Sequence, residues 1–110
     1  MRILVTGATG LIGCHSVAAL LDVGAQVRVF VRDASKIDRV LASFGRSAED
    51  IEIALGDLSD QGSLRAALDG CSGLLHCAGI FSPERQDEAR LIATNVEGTR
   101  AVLEAATQCE

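Results

Sequence analysis

The sequence predicts an α/β fold, a doubly wound parallel sheet with strand order 3-2-1-4 that is truncated before a fifth strand. Two observations lead to this prediction. Apolar strand patterns alternate with helical patterns along all 110 residues, and strands separated by helices pair in parallel through right-handed crossovers. The first strand also runs directly into a turn with three glycines that opens the first helix. We therefore expect residues 1–110 to form one domain.

The individual elements follow from the spacing of the apolar residues. Apolar runs of four to six residues predict strands, and apolar residues three and four apart predict helices with one buried face. Gly24 and Gly70 stand where helix C-terminal caps are expected, and Gly98 is an internal weak point of the last helix. Residues 45–50 are polar and predict a loop. The predicted strands are Arg2–Thr6, Gln26–Val31, Ile51–Leu55 and Gly73–Cys77, and the predicted helices are Leu11–Val23, Ala34–Phe44, Asp60–Leu68 and about Glu84 to Gln108.

The composition excludes several classes of protein. Hydrophobic residues make up 48% of the chain, which argues against disorder. Aromatic residues make up only 3% and the net charge is −5, so the chain lacks the stacking surface and the basic face that nucleic acid requires. We find no signal peptide and no apolar run of membrane-spanning length, and expect no membrane partner.

The cysteines and histidines do not predict a metal site. The four cysteines form no CxxC pair, and the chain has only two histidines, His15 and His76. Reduced, buried cysteines are typical of cytoplasmic proteins, and this is the location we expect. We interpret His76, on an apolar strand, as a packed core residue.

The turn between the first strand and the first helix is suited to a pyrophosphate. Glycines with the spacing G-x-x-G-x-x-G, at Gly7, Gly10 and Gly13, allow backbone N–H groups to approach a phosphate without intervening side chains. The positive end of the helix dipole then favours the anion. The spacing differs from the standard G-x-G-x-x-G fingerprint, and a glycine turn without a ligand stays open. If the pyrophosphate lies here, valine at Gly7 or Gly10 should abolish binding with less effect on folding.

Four segments carry a more specific signal, in the order TGATGLIG (6–13), GDLSD (56–60), HCAG (76–79) and NVEGT (95–99). They resemble the motifs of the extended short-chain dehydrogenases/reductases, the NAD-dependent epimerase/dehydratase family. The resemblance implies a Rossmann fold in which Asp57 hydrogen-bonds the adenine amino group and Asn95 stabilises the sheet or the site. Asp57 has a simpler interpretation as a helix cap, for which Ser59 and Asp60 are better placed. The cofactor-binding residues implied by the motifs are Gly7, Thr9, Gly10, Leu11, Ile12, Gly13, Asp57, Leu58, Cys77, Ala78, Gly79 and Asn95.

The end of the second strand bears on which dinucleotide is bound. An acidic residue there would bind both ribose hydroxyls of NAD and repel a 2′-phosphate. The family's acidic position falls on Val31, followed by Arg32, with Lys36 one turn later. Because a guanidinium binds phosphate in a bidentate way, and because the resemblance links Arg at this place to NADP, we predict NADP rather than NAD. A one-residue shift of the turn would instead bring Asp33 to the ribose, and Arg32 as a solvated surface charge stays open.

No catalytic residue is assigned. The resemblance implies a Tyr and a Lys four residues apart, of which the lysine tunes proton transfer by the tyrosine. The chain has no tyrosine, and its single lysine, Lys36, lies at the other end of the cofactor. We therefore interpret the chain as the cofactor-binding portion of a longer enzyme, whose small-molecule substrate binds only in that longer chain.

Three functions stay open at this point. An NADP-dependent reductase acting on a carbonyl or hydroxyl group is favoured over a sugar-nucleotide epimerase/dehydratase and over a non-catalytic NAD(P)-binding or redox-sensing module. We also expect self-association into a homo-oligomer, because an unpaired strand at the sheet edge invites pairing with another chain.

Overall fold

The computed structural model describes residues 1–77 and 92–108. The strands within them are β1 (Arg2–Thr6), β2 (Gln26–Val31), β3 (Glu52–Leu55) and β4 (Gly73–His76). The α-helices within them are α1 (Leu11–Asp22), α2 (Ile37–Ala42), α3 (Gln61–Leu68) and α4 (Gly98–Gln108). All described strand pairs are parallel and their order is β3-β2-β1-β4, so the predicted Rossmann topology is confirmed.

The sheet carries an apolar layer on each face, because successive strand residues point to opposite sides. Val5 and Val29, which are register partners, face the layer that includes α1 and α2. Leu4 and Phe30 face the layer that includes α3 and α4. The first layer contains Val5, Ala8, Val17, Val27, Val29, Val31, Ile37 and Leu41, and the second contains Leu4, Phe30, Leu64, Ala67, Leu68, Val102 and Ala105. Helices on both faces explain why these strands are so apolar.

The region after β2 differs in detail from the predicted helix over Ala34–Phe44. Residues Ala34–Lys36 form a 3₁₀ turn, because the Asp33 carboxylate accepts the Ser35 N–H at 2.9 Å and caps it. Helix α2 then ends at Ala42, followed by Gly45 with a φ of 71°. The predicted loop over 45–50 contains a 3₁₀ turn, Ala48–Asp50, held by a capping box.

The last helix changes its winding at Gly98, the predicted weak point. Residues Ile92–Glu97 form a π-helical segment, and α4 starts at Gly98. A Cβ at Gly98 would lie 3.1 Å from Cδ1 of Leu58, so glycine permits the helix to approach the loop after β3 closely. Gln61 adds a hydrogen bond from its Nε2 to the Ala101 carbonyl at 2.7 Å. The predicted residues 84–91 of this helix lie outside the described residues.

Ion pairs hold the amino ends of the strands. Glu52 lies 3.0 Å from Nε of Arg2 and 3.0 Å from Nε of Arg28. Arg28 also donates from Nη1 to the carbonyls of Ala67 and Asp69, each at 2.6 Å, and so satisfies acceptors at the end of α3. The carboxyl ends of the strands, at the opposite edge, are left to form a site.

We predict that Leu64→Ala lowers the free energy of unfolding by about 2–5 kcal/mol, because a buried leucine leaves a cavity. Leu64 is fully buried in the second layer, whereas Leu103 on α4 is 60% exposed. The matched control Leu103→Ala should change stability by less than about 0.5 kcal/mol. Urea unfolding of the intact protein, followed by circular dichroism, measures both. Equal losses for the two variants would contradict the assignment of the core.

Candidate functional site

The candidate site lies where the carboxyl ends of the parallel strands meet. Ligands of open α/β sheets bind outside these ends, at the point where the strand order reverses. Here the order reverses between β1 and β4, because β2 and β3 lie on one side of β1 and β4 lies on the other. The described site residues follow the ends of β1, β2, β3 and β4, as the sequence predicts, and Asn95 lies in the π-helical segment. Ala78 and Gly79 lie outside the described residues.

Gly7 begins the turn after β1 because its backbone is left-handed. Its φ is 73°, a conformation that side-chain-bearing residues rarely adopt. Its carbonyl oxygen accepts the Gly10 N–H at 3.1 Å and closes the turn. Valine at Gly7 would therefore strain the folded backbone, and a smaller effect on folding than on binding stays a prediction at this position.

Gly13 is required by packing. It is buried in the first turn of α1, and a Cβ at this position would lie 1.8 Å from the carbonyl oxygen of Gly7 and 3.0 Å from Cα of Ala8. Both obstructing atoms belong to the backbone and cannot turn aside. Glycine at this position therefore allows α1 to begin directly against the end of β1.

Neither backbone conformation nor packing requires a glycine at Gly10. Its φ of −82° is accessible to any residue, and the nearest atom to a Cβ would be the Gly7 oxygen at 3.4 Å, an ordinary contact. It is the N-cap of α1 and supplies no capping side chain. The first N–H groups of a helix need acceptors from outside the helix, and an anion can supply them. The space beside Gly10, at the uncapped amino end of α1, is therefore open to an anion.

The other residues of the first motif are exposed around this turn. Leu11 is 77% exposed and Ile12 is 71% exposed, and both line a shallow apolar hollow along α1 together with His15. Thr9 is exposed at the tip of the turn. Because these side chains are exposed, the turn is held by its backbone rather than by side-chain packing at these positions.

At the end of β2, the two charged residues have different surroundings. Asp33 accepts from the Ser35 N–H at 2.9 Å and from the Ser35 hydroxyl at 3.0 Å. The backbone bond, followed by the hydroxyl bond, lowers the pKa of Asp33 below its usual range. Arg32 is exposed and makes no hydrogen bond or ion pair with any described residue. Lys36 lies one turn further on and is also exposed.

At the end of β3, Asp57 is also held by the serine two residues later, but through one carboxylate oxygen, whereas Asp33 uses both. Its Oδ1 accepts from the N–H and the hydroxyl of Ser59, both at 2.9 Å. These bonds lower the pKa of Asp57, and the positive charge of Arg32 adds to the effect. The second oxygen, Oδ2, accepts no hydrogen bond within the described part of the chain. Asp57 is therefore an ionised carboxylate with one oxygen available.

Asp57 does not cap the next helix. Asp60 is the N-cap of α3 and accepts from Gly62 N at 3.0 Å and Ser63 N at 3.3 Å. The Ser63 hydroxyl instead braces the motif, because Asp57 N donates to it at 3.2 Å. The Leu58 side chain is partly buried and packs against the second apolar layer.

His76 links the end of β4 to β1 and to the last helix. Its Nδ1 is hydrogen-bonded to the hydroxyl of Thr6, and its Nε2 lies 3.1 Å from the hydroxyl of Thr99. Cys77 N donates to the Thr6 hydroxyl at 3.1 Å. The Thr99 hydroxyl lies 2.6 Å from the Asn95 carbonyl. Burial lowers the pKa of His76 from 6.5, so the imidazole is neutral at neutral pH.

Sequence reasoning assigned no role to Thr6, Thr99 or Ser63. Thr6 is 1% exposed, which makes it a buried polar residue at the end of an apolar strand. A hydroxyl in that position signals a specific partner, because buried polar groups are hydrogen-bonded. The partner itself is 70 residues away along the chain and cannot be read from spacing.

The described residues contain neither a metal-binding cluster nor a membrane-spanning helix. No group of three or more His, Cys, Asp or Glu side chains among them could hold a metal ion. No helix among them is both long enough and apolar enough to cross a membrane.

Comparison with known protein families identifies the chain. The model of the NAD-dependent epimerase/dehydratase family matches residues 3–110. The chain belongs to this family. Among the curated relatives, sterol demethylase protein B of Methylococcus capsulatus is 42% identical over 106 residues, which cover 96% of this chain and 30% of the relative. A putative dihydroflavonol 4-reductase of Synechocystis is 39% identical over 99 residues, covering 90% of this chain and 27% of the relative.

A solved structure of the same superfamily is similar in fold. The short-chain dehydrogenase/reductase superfamily protein of Agrobacterium tumefaciens, crystallised with bound NAD, is 38% identical and superimposes with a TM-score of 0.71. The match covers 96% of this chain and 29% of that protein. This family member therefore spans less than a third of the length of each of these relatives.

We predict opposite outcomes for alanine at two of the family's glycines. Gly13→Ala should lower the free energy of unfolding by about 1–3 kcal/mol, toward the upper end, because the new Cβ meets backbone atoms. Gly10→Ala should change it by less than about 1 kcal/mol, since its Cβ has room. Thermal unfolding of the intact protein measures both. A Gly13→Ala variant as stable as the wild type would contradict the close contact between α1 and the turn.

The lowered pKa of His76 predicts a pH dependence of stability. Below pH 6.5 the unfolded chain binds a proton on this histidine, whereas the folded chain does not until the pH reaches the lower folded value. The free energy of unfolding should therefore fall as the pH is lowered through this window, and the contribution should level off below it. Comparison with His76→Gln at each pH isolates this contribution from that of the carboxylates. A constant difference between the two proteins from pH 7 downward would contradict it.

Proposed function

We propose that this chain is the dinucleotide-binding domain, residues 1–110, of an NADP-dependent reductase that acts on a carbonyl or hydroxyl group. The preference for NADP rests on the contrast at the end of β2. The Asp33 carboxylate is engaged by both donors of Ser35, whereas Arg32 is exposed and makes no hydrogen bond or ion pair with a described residue. A free guanidinium after β2 suits a 2′-phosphate, and an engaged carboxylate is less able to bind ribose hydroxyls.

In this proposal the pyrophosphate lies over the amino end of α1. Gly10 provides the space and the uncapped helix provides N–H donors, with Gly7 and Gly13 holding the turn. Thr9, Leu11 and Ile12 contribute backbone at the same turn. Substitution of Gly10 by a larger residue would fill the pyrophosphate's position while leaving the fold intact.

The two ends of the dinucleotide would then contact opposite sides of the site. Arg32 and Lys36 would bind the 2′-phosphate, and Oδ2 of Asp57 would accept the adenine amino group beside the Leu58 backbone. The nicotinamide end would lie near Cys77, Ala78, Gly79 and Asn95. A fixed carboxylate is suited to the adenine contact because Ser59 already holds its orientation.

The activity and the location are also proposals. The reductase class is supported by the similarity to the putative dihydroflavonol 4-reductase of Synechocystis, and the substrate-binding and catalytic residues would lie in a longer chain. Cys14, Cys71 and Cys77 are free, which suits a reducing, cytoplasmic location. The apolar side chains of Val96 and Leu103, 49% and 60% exposed, support self-association through the last helix.

The decisive experiment compares NADPH with NADH. Arg32→Ala should weaken NADPH binding by about 1.5–3 kcal/mol, which is tenfold or more, and should leave NADH binding within about twofold, because only NADPH carries the 2′-phosphate. Calorimetric titration of the intact protein gives both dissociation constants. Arg100→Ala is the matched control, since it removes the same charge from an exposed ion pair with Glu97.

Two outcomes would count against the proposal. Equal weakening of both dinucleotides by Arg32→Ala would remove the assignment of the 2′-phosphate. Gly10→Val should abolish binding of both, and a folded variant with unchanged affinity would show that the pyrophosphate lies elsewhere.

A further inference from the structure

A continuous chain of hydrogen bonds crosses the site from β4 and β1 to the last helix, and His76 is its centre. On one side, Cys77 N reaches the Thr6 hydroxyl, which reaches Nδ1 of the imidazole. On the other side, Nε2 reaches the Thr99 hydroxyl, which reaches the Asn95 carbonyl. None of these side chains is exposed, so this series of hydrogen bonds is shielded in part from water.

The hydrogen bond between Thr99 and Asn95 fixes the position of one imidazole proton. The Asn95 carbonyl can only accept, so the Thr99 hydroxyl donates its single hydrogen to it at 2.6 Å. Toward His76, 3.1 Å away, the Thr99 oxygen can then act only as an acceptor. Nε2 must therefore carry a hydrogen.

The near end fixes the other nitrogen. Burial keeps the imidazole neutral at neutral pH, so Nδ1 carries no hydrogen and accepts the hydroxyl hydrogen of Thr6. The Thr6 oxygen still has lone pairs for the Cys77 N–H at 3.1 Å. Every bond in the chain then has one donor and one acceptor, and all of them point from β4 toward Asn95.

We infer that His76, held as the neutral Nε2–H tautomer, is a positioning residue of the cofactor site. It does not touch the dinucleotide. It acts through Thr6, the residue before Gly7, and through Thr99, which holds the carbonyl of Asn95. The imidazole thereby ties the glycine turn to the π-helical segment, two parts of the site that no strand pairing joins. The inference rests on the proposed function for its effect on binding, but the tautomer can be tested without any ligand.

The alternative is a histidine that only fills space. A space-filling imidazole has no preferred tautomer, and loss of the Thr99 hydroxyl would then alter stability without altering the cofactor site. The two hydroxyls contact different nitrogens of one ring, so His76 links them directly.

The tautomer is measured first, on the unliganded intact protein. Nitrogen-15 NMR of labelled histidine distinguishes a protonated from a bare ring nitrogen through long-range couplings to the ring hydrogens. We expect His76 at neutral pH to show a protonated Nε2 and a bare Nδ1, and Thr99→Val to weaken that preference. A protonated Nδ1 in the wild-type protein would overturn the inference, whatever the cofactor.

The second measurement is a double-mutant cycle on NADPH affinity. Thr6→Val and Thr99→Val should each weaken binding about threefold to tenfold, the equivalent of one hydrogen bond. The double variant should bind within about twofold of the weaker single variant, because either change already interrupts the series of hydrogen bonds through His76. Ser43→Ala is the control, since it removes a hydroxyl bond of 2.8 Å to the Val40 carbonyl in α2 outside the chain. It should leave the affinity unchanged.

The outcomes separate this inference from the proposed function. Additive losses in the double variant, or an unchanged affinity for Thr99→Val, would show that His76 transmits nothing to the site. A wild-type protein that binds neither NADPH nor NADH would refute the proposed function, and the tautomer measurement would still decide the state of His76.

Discussion

Helix α1 begins so close to the end of β1 that a Cβ at Gly13 would lie 1.8 Å from the carbonyl oxygen of Gly7. This contact fixes the amino end of the helix above the carboxyl edge of the sheet, which brings uncapped N–H groups to the strand ends. The left-handed backbone of Gly7 makes the contact possible, and the buried face of α1, through Val17, holds it in place. The position of the remaining site residues is defined relative to this helix.

The charged edge of the site is built by a repeated local device. At the ends of β2 and β3 an aspartate is followed two residues later by a serine that donates both its N–H and its hydroxyl to the carboxylate. Such turns satisfy the backbone as it leaves a strand, and they fix the two carboxylates in place. Arg32 has no such partner among the residues that the structure describes, so its guanidinium can reorient toward a ligand.

The opposite side of the site depends on contacts between distant parts of the chain. His76 joins β1 to the last helix through two threonines, and Gly98 permits that helix to approach Leu58 after β3. The π-helical winding before Gly98 coincides with Asn95, and such segments are frequent at functional sites. The two sides differ in kind, since one consists of local turns and the other of long-range hydrogen bonds.

The amino-acid sequence by itself determined the sheet order, the bounds of β1 and β2, and the placement of the glycine turn, because strand alternation, helical spacing and glycine are local signals. It also placed Arg32 directly after β2, Lys36 one turn later and Asp57 after β3. It did not show why each glycine is needed, because Gly7, required by its φ, and Gly13, required by its packing against backbone, are the same residue in the sequence. Only the tertiary structure decided that Asp33 is engaged by Ser35 and that His76 is hydrogen-bonded on both nitrogens. Those facts depend on geometry and on partners up to 70 residues apart, which no local pattern encodes.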